Sequence, residues 1–198
     1  MAHIEPLSED QLPDQLKLLL EMARAGMGFL PNSIPTMAHW PELVSAFAPM
    51  AATVLRSGEL DVGLKQMIAA VVSGAAGCRY CQAHTTHSAV HAGGVSEKKI
   101  AQVWSYQQSD LFSKAEQAAL DLALAAGQVP NAVTEVHFTA LKAHYSDRQI
   151  VEIVAVISLF GFLNRWNDTM ATTLEEAPTA FAKAAFAASD WEAGKHGA

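Results

Sequence analysis

Apolar residues recur at intervals of three and four along most of the chain, and this spacing predicts helices nearly end to end. Between residues 8 and 26 the stripe is Leu12, Leu16, Leu19, Leu20 and Ala23, and Gly26 and Gly28 end it. Residues 29–35 hold Pro31 and Pro35 and read as an irregular connector, because two prolines in five residues suit no helix interior. Pro41 fits the first turn of a helix to about Arg56, with Leu43, Phe47, Met50, Ala51 and Val54 on one stripe. Asp61 is an N-cap for a helix through about Ala76, Gly77 turns the chain, and the next helix stops at Gly93-Gly94. Ser96 opens a short helix to about Tyr106. Ser113 with Glu116, and Ser146 with Gln149, form capping boxes. The first opens a helix over 114–126 and the second a long apolar helix to about Thr172. Pro130 separates the first of these from a helix over 132–144, and a last helix covers 178–188. No segment alternates convincingly with period two. The pattern predicts an all-α fold, one domain over 1–198.

A weak internal echo accompanies the helices. At an offset of 86 residues Asp61 meets Asp147, Gln66 meets Glu152, Arg79 meets Arg165 and Tyr80 meets Trp166. Cys78 and Cys81 then face Asn164 and Asn167. The reading is a duplicated helical unit: a dithiol-bearing half over about 40–110 and a degenerate half over about 113–188.

Composition narrows the function classes. Apolar residues make up 51% of the 198, charged residues only 17%, and the net charge is −7. An acidic chain is a poor partner for nucleic acid or an anionic membrane. Glu5, Glu9 and Asp10 are unlike a signal peptide's basic start, and the apolar run 153–163 is shorter than the roughly 20 residues of a membrane span. These features suggest a cytoplasmic protein. Helices such as 150–163, apolar nearly all round, want burial on every side, which predicts a homo-oligomer.

Both cysteines lie in Gly77-Cys78-Arg79-Tyr80-Cys81-Gln82-Ala83-His84, with His87 just beyond. A Cys-x-x-Cys pair at a helix start can close and reopen a disulfide, and the helix N-terminus with nearby His or Arg lowers a thiol pKa. Cys78, Cys81 and His84 are spaced by three and share roughly one helix face. Two bland readings compete: buried cysteines acting as small hydrophobes, and a zinc site from Cys78, Cys81, His84 and His87. Cys78 and His87 are roughly 13 Å apart along a helix, so four such ligands cannot close a tetrahedron without another segment or subunit. His87 and His91 also read as a solvated helix face.

The run from Leu60 to Ile100 resembles the alkylhydroperoxidase D-like, or carboxymuconolactone decarboxylase, family, in its peroxidase-related branch. Gly77-Cys78-x-Tyr80-Cys81, Ala83-His84, Ala89, Gly93 and Val95-Ser96-Glu97 carry the likeness, with Asn164-Arg165-x-x-Asp168 as a weaker echo. The resemblance implies an all-helical homo-oligomer, a trimer or hexamer, needing no organic cofactor. It implies that Cys81 attacks a hydroperoxide, that Cys78 resolves the sulfenic acid as a disulfide, and that an external dithiol resets the pair. In that family a glutamate twelve residues before the first cysteine and a histidine four after the second relay the proton. Here the glutamate position is Gln66, the histidine comes one residue early as His84, and position 85 is Thr. An amide cannot take the proton, so His84 would act alone and oxidation would speed up toward pH 8.5. Glu152, set in the apolar run 150–154, is the expected substitute carboxylate, unless it is a structural partner of Arg79 or Arg165. The functional expectation is a thiol-dependent peroxidase. The alternatives are a thiol-independent lactone-acid decarboxylase and a redox-sensing oligomer without turnover.

Overall fold

A computed structural model describes residues 2–197. A 3-10 turn, Asp14–Leu16, leads into helix α1, Lys17–Met27, which ends on left-handed Gly28. Then come α2, Ser33–Met37; α3, Pro41–Arg56; α4, Val62–Ala76; α5, Arg79–His91; and α6, Glu97–Ile100. After a 3-10 segment, Val103–Gln108, follow α7, Lys114–Ala126; α8, Glu135–Lys142; α9, Asp147–Met170; and α10, Glu176–Ala185. Two 3-10 turns, Ala187–Ser189 and Gly194–His196, close the described chain. Among the described residues there is no strand, so the all-α expectation holds.

The polar signals act where the sequence puts them. Asp61 accepts the Leu64 amide, Ser113–Glu116 and Ser146–Gln149 form reciprocal capping boxes, and Pro41 starts α3. The connector at 29–35 is partly wrong: α2 runs through Pro35. Its ring stands in the first turn, where a missing N–H breaks no intrahelical bond. The helix expected from Ser96 to Tyr106 is also two pieces, α6 and the 3-10 segment Val103–Gln108, the second itself kinked at Ser105.

α4 is the centre of the core. Every residue from Gly63 to Ser73 is buried, and α5, α7 and α9 pack around it. α4 and α5 form a hairpin through Gly77, whose φ of 77° suits glycine. At the other end of the hairpin Gly63 and Gly93 touch backbone to backbone: a Cβ on Gly93 would meet Gly63 Cα at 2.6 Å. Residues 147–170, by contrast, run as one unbroken helix. α9 is long and apolar enough to cross a membrane by length and composition, but here it is a core helix against α4, α5 and α3. It is not buried on every side: Val151 is 64% exposed, and Val154 and Phe162 also face out.

Candidate functional site

Cys78 and Cys81 stand at the start of α5, Cys78 as its N-cap and Cys81 in its first turn. Both are free thiols and both are buried. Two other segments converge on them. Asn167, in the last turns of α9, donates from Nδ2 to Cys81 Sγ at 3.5 Å; these are two residues the 86-residue offset pairs. On the other side, Cys78 Sγ, an Asp168 carboxylate oxygen and a ring nitrogen of His196 lie within 4.8 Å of one another.

The environment splits the two thiols. The Cys81 thiol beside it, opposed by burial and assisted by His196, draws the Cys78 pKa down to about 6. Burial, then the neighbouring Cys78, push Cys81 well above the ordinary thiol value. The two shifts run in opposite directions, so Cys78 is the more acidic thiol and Cys81 the one that keeps its proton to donate. Burial alone would lower the His196 pKa, but Cys78, the Thr172 carbonyl and Asp168 outweigh it and the net direction is up.

A second imidazole meets a second carboxylate nearby. His84 Nε2 lies 2.5 Å from Glu175 Oε2. Tyr80 donates its hydroxyl to Glu175 Oε1 at 2.9 Å, and the Asn32 amide donates to the same oxygen at 2.5 Å. Burial works to raise the Glu175 pKa, yet His84 and the backbone donors bring it below the usual value. The Tyr80 ring stacks on His84 at 4.3 Å and lies 6.0 Å from His196, so it stands between the two imidazoles.

Of the residues singled out in the sequence, Cys78 and Cys81 stand together, His84 follows one turn along α5 with its ring on Glu175, and the other two lie elsewhere. Gln66 is buried in α4 with no side-chain hydrogen bond to any described residue. Glu152, the expected substitute carboxylate, faces away from the dithiol into a cluster of its own. It accepts the Glu59 and Leu60 amides and pairs with Arg148 at 2.9 Å and with buried Lys65 at 3.3 Å. It stands fifteen residues before Asn167 on α9, about 22 Å along the axis. Its partners are thus Lys65 and Arg148 rather than Arg79 or Arg165. The carboxylate that meets His84 is Glu175, which sequence spacing could not reveal because it lies 91 residues away. His196 was equally hidden; Asp168 stood in the Asn-Arg-x-x-Asp echo without a role.

The four zinc ligands considered above do not converge, since His84 is committed to Glu175 and His87 stacks on His91 at 4.0 Å. Cys78, Asp168 and His196 are the described residues whose donor atoms do cluster.

The model of the carboxymuconolactone decarboxylase family matches residues 41–125. The debrominase Bmp8, solved as a cysteine-to-alanine variant with 2,3,4-tribromopyrrole, is 34% identical with a TM-score of 0.87, covering 93% of this chain and 98% of that one. A peroxidase-related protein with an alkylhydroperoxidase AhpD core, from Ralstonia eutropha JMP134, is 27% identical with a TM-score of 0.75, over 89% and 94%. The uncharacterized protein YnjA of Escherichia coli K12 is 32% identical over 111 residues, 56% of this chain and 60% of its own length, so that match stops short of two thirds of the relative. The fold is AhpD-like, with the dithiol at a helix start. The chain belongs to the carboxymuconolactone decarboxylase family.

Proposed function

We propose that the protein is a dithiol oxidoreductase that reduces a small electrophile with Cys78 and Cys81, a hydroperoxide being the first candidate. One observation carries the reading: two free thiols three residues apart at the start of α5, with His196 and Asp168 gathered on Cys78 and Asn167 on Cys81. We assign the attack to Cys78, the reverse of the order the family resemblance implies. The Cys78 thiolate attacks the outer peroxide oxygen, the O–O bond breaks, and the leaving alkoxide takes a proton to give the alcohol. The Cys81 sulfur then attacks the Cys78 sulfenic acid. An S–S bond forms, and hydroxide leaves as water with the Cys81 proton. An external dithiol restores both thiols. His84, oriented by Glu175 one turn beyond Cys81 on α5, is a second imidazole that can resupply protons to the site.

A second reading draws on the likeness to Bmp8. A thiolate can remove bromine from a brominated pyrrole once the ring carbon is protonated, giving a sulfenyl bromide; the second thiol then displaces bromide to close the same disulfide. Both readings consume two thiols per substrate and differ in the product. The test is to titrate fully reduced protein with a stoichiometric alkyl hydroperoxide, and separately with a bromopyrrole, counting free thiols, alcohol and bromide. Loss of two thiols per alcohol supports the first reading, and loss of two per bromide the second. Full retention of both thiols with either substrate overturns the dithiol function. In the Cys81→Ser variant a sulfenic acid trapped on Cys78 is expected. A sulfenic acid that forms on Cys81 in Cys78→Ser at wild-type speed overturns the assignment of the attack.

A further inference from the structure

We propose that Cys78, His196 and Asp168 work as a thiolate–imidazole–carboxylate triad, with the segment after α10 delivering the base. Three separate parts of the fold meet there: the N-cap of α5, the last turn of α9, and the 3-10 turn Gly194–His196. His196 is 1% exposed, and its Nε2 makes no hydrogen bond. A buried polar atom left unpartnered is destabilising, and one aimed at a thiol points to a use. The ring orientation is fixed. Thr172 O can only accept, so Nδ1, 2.8 Å away, carries the hydrogen in the neutral ring and leaves the Nε2 lone pair facing Cys78.

Asp168 completes the arrangement as a positioning residue. Its Oδ1 is 3.5 Å from Nε2, close enough to steady the imidazolium once Nε2 is protonated, and Lys195 holds Oδ2 at 2.8 Å. The segment is anchored rather than draped. Leu174 donates its amide to the His196 carbonyl at 2.8 Å, and Trp191 donates from Nε1 to Gln82 Oε1 on α5 at 3.1 Å. Left-handed Ala171 ends α9 and turns the chain so that Thr172 O faces back to the ring. The titratable and charged groups around His196 are Cys78, Cys81 and Tyr80 from α5, Asp168 from α9 and Lys195 from its own segment.

The chemistry balances within the site. The Cys78 proton moves to His196 Nε2, giving thiolate and imidazolium with no change of net charge. After the thiolate attacks, the imidazolium can return that proton to the leaving group. This activation of Cys78 underlies the dithiol function proposed above, but it can be measured without any oxidant.

The experiment is the pH profile of iodoacetamide alkylation at Cys78 in a Cys81→Ser background, where the serine hydroxyl keeps a donor, in buffer with EDTA. A midpoint near pH 6 is expected. Adding His196→Gln should raise the midpoint by at least about one unit, which at pH 6 slows alkylation about fivefold. Imidazole added to His196→Gly should recover part of the lost rate, a recovery that a purely structural histidine would not give. Asp168→Asn should lower the His196 midpoint seen by NMR, and this arm stands even if the His196 variants fail to fold. The triad is overturned if the folded His196→Gln keeps the parent midpoint, if Asp168→Asn leaves the His196 titration unmoved, or if the midpoint near 6 vanishes with EDTA and returns with added zinc. Failure of peroxide or bromopyrrole to oxidise the thiols would sink the proposed function and leave this result untouched.

Discussion

Glu152 and Glu175 are both nearly buried carboxylates next to the α4–α5 hairpin, and their partners make them different objects. Glu152 is saturated: two backbone amides, Arg148 and Lys65 surround it, and these outweigh burial to hold its pKa near 2. It ties the 57–60 turn to α9, and its carboxylate lies where a side chain on Gly58 would have to go. Glu175 instead meets the His84 imidazole and accepts from the Tyr80 phenol, whose pKa burial and this carboxylate push well above its ordinary value. A buried carboxylate neutralised by fixed cations and amides supports the fold. One facing a titratable ring beside a dithiol is placed for chemistry.

The sharpest way to break that comparison is at Glu152. Glu152→Gln leaves Lys65 without its counter-charge in the core, and removing one partner of a buried ion pair costs about 3–5 kcal/mol. Denaturant unfolding should show that loss, while thiol oxidation in the remaining folded protein is unchanged. The wild-type contribution should also fade in acid. A depressed carboxylate stabilises the fold fully above its unfolded pKa of about 4.3, and the stability is lost as pH falls from there toward 2. If Glu152→Gln abolishes oxidation in a protein of normal stability, Glu152 is a relay after all.

Glu175→Gln should do the opposite, leaving stability within about 1–2 kcal/mol, the net value of its hydrogen bonds. It should slow dithiol oxidation about 10²-fold, the lower end of a general acid–base contribution. Stopped-flow oxidation of the reduced protein checks it, and an unchanged rate would reduce Glu175 to an anchor for Tyr80 and Asn32. The smallest effect is expected at Gln66. Gln66→Glu would bury a carboxyl with no described hydrogen-bond partner, so it should stay protonated and change the oxidation rate less than about twofold. A clear gain at neutral pH would instead restore the relay that the sequence suggested.

The sequence carried the local physics and missed the long-range chemistry. Asp61, Pro41, the two Ser-led capping boxes and Gly77 act through neighbours three or four residues away, and such signals survive in one dimension. The dithiol and its shared face with His84 were legible for the same reason. The relay carboxylate was sought at Gln66 and Glu152 because spacing was the available guide. Glu175, 91 residues from His84, and His196, 118 residues beyond Cys78, reach the site only through the packing of α9, α10 and the following segment. The expected rise of reactivity toward pH 8.5 shared that limit, since it counted one lone imidazole and the fold supplies two, each beside a carboxylate.

The touching backbones of Gly63 and Gly93 clamp the α4–α5 hairpin at the end away from the thiols, so that the hairpin is a lever hinged at Gly77 and set from its far end. A methyl group at Gly93 cannot fit against Gly63 Cα at 2.6 Å or the Ala89 carbonyl at 2.7 Å, so the two helices must spread. α5 has thirteen residues, an arm of about 20 Å that pivots on the Gly77 turn. Spreading by even about 1 Å at the far end tilts the whole arm, and Cys78 sits beside the pivot with its sulfur aimed at a fixed histidine. Two residues with no side chains and no chemistry thereby set the aim of the reacting atom from the opposite end of the helix.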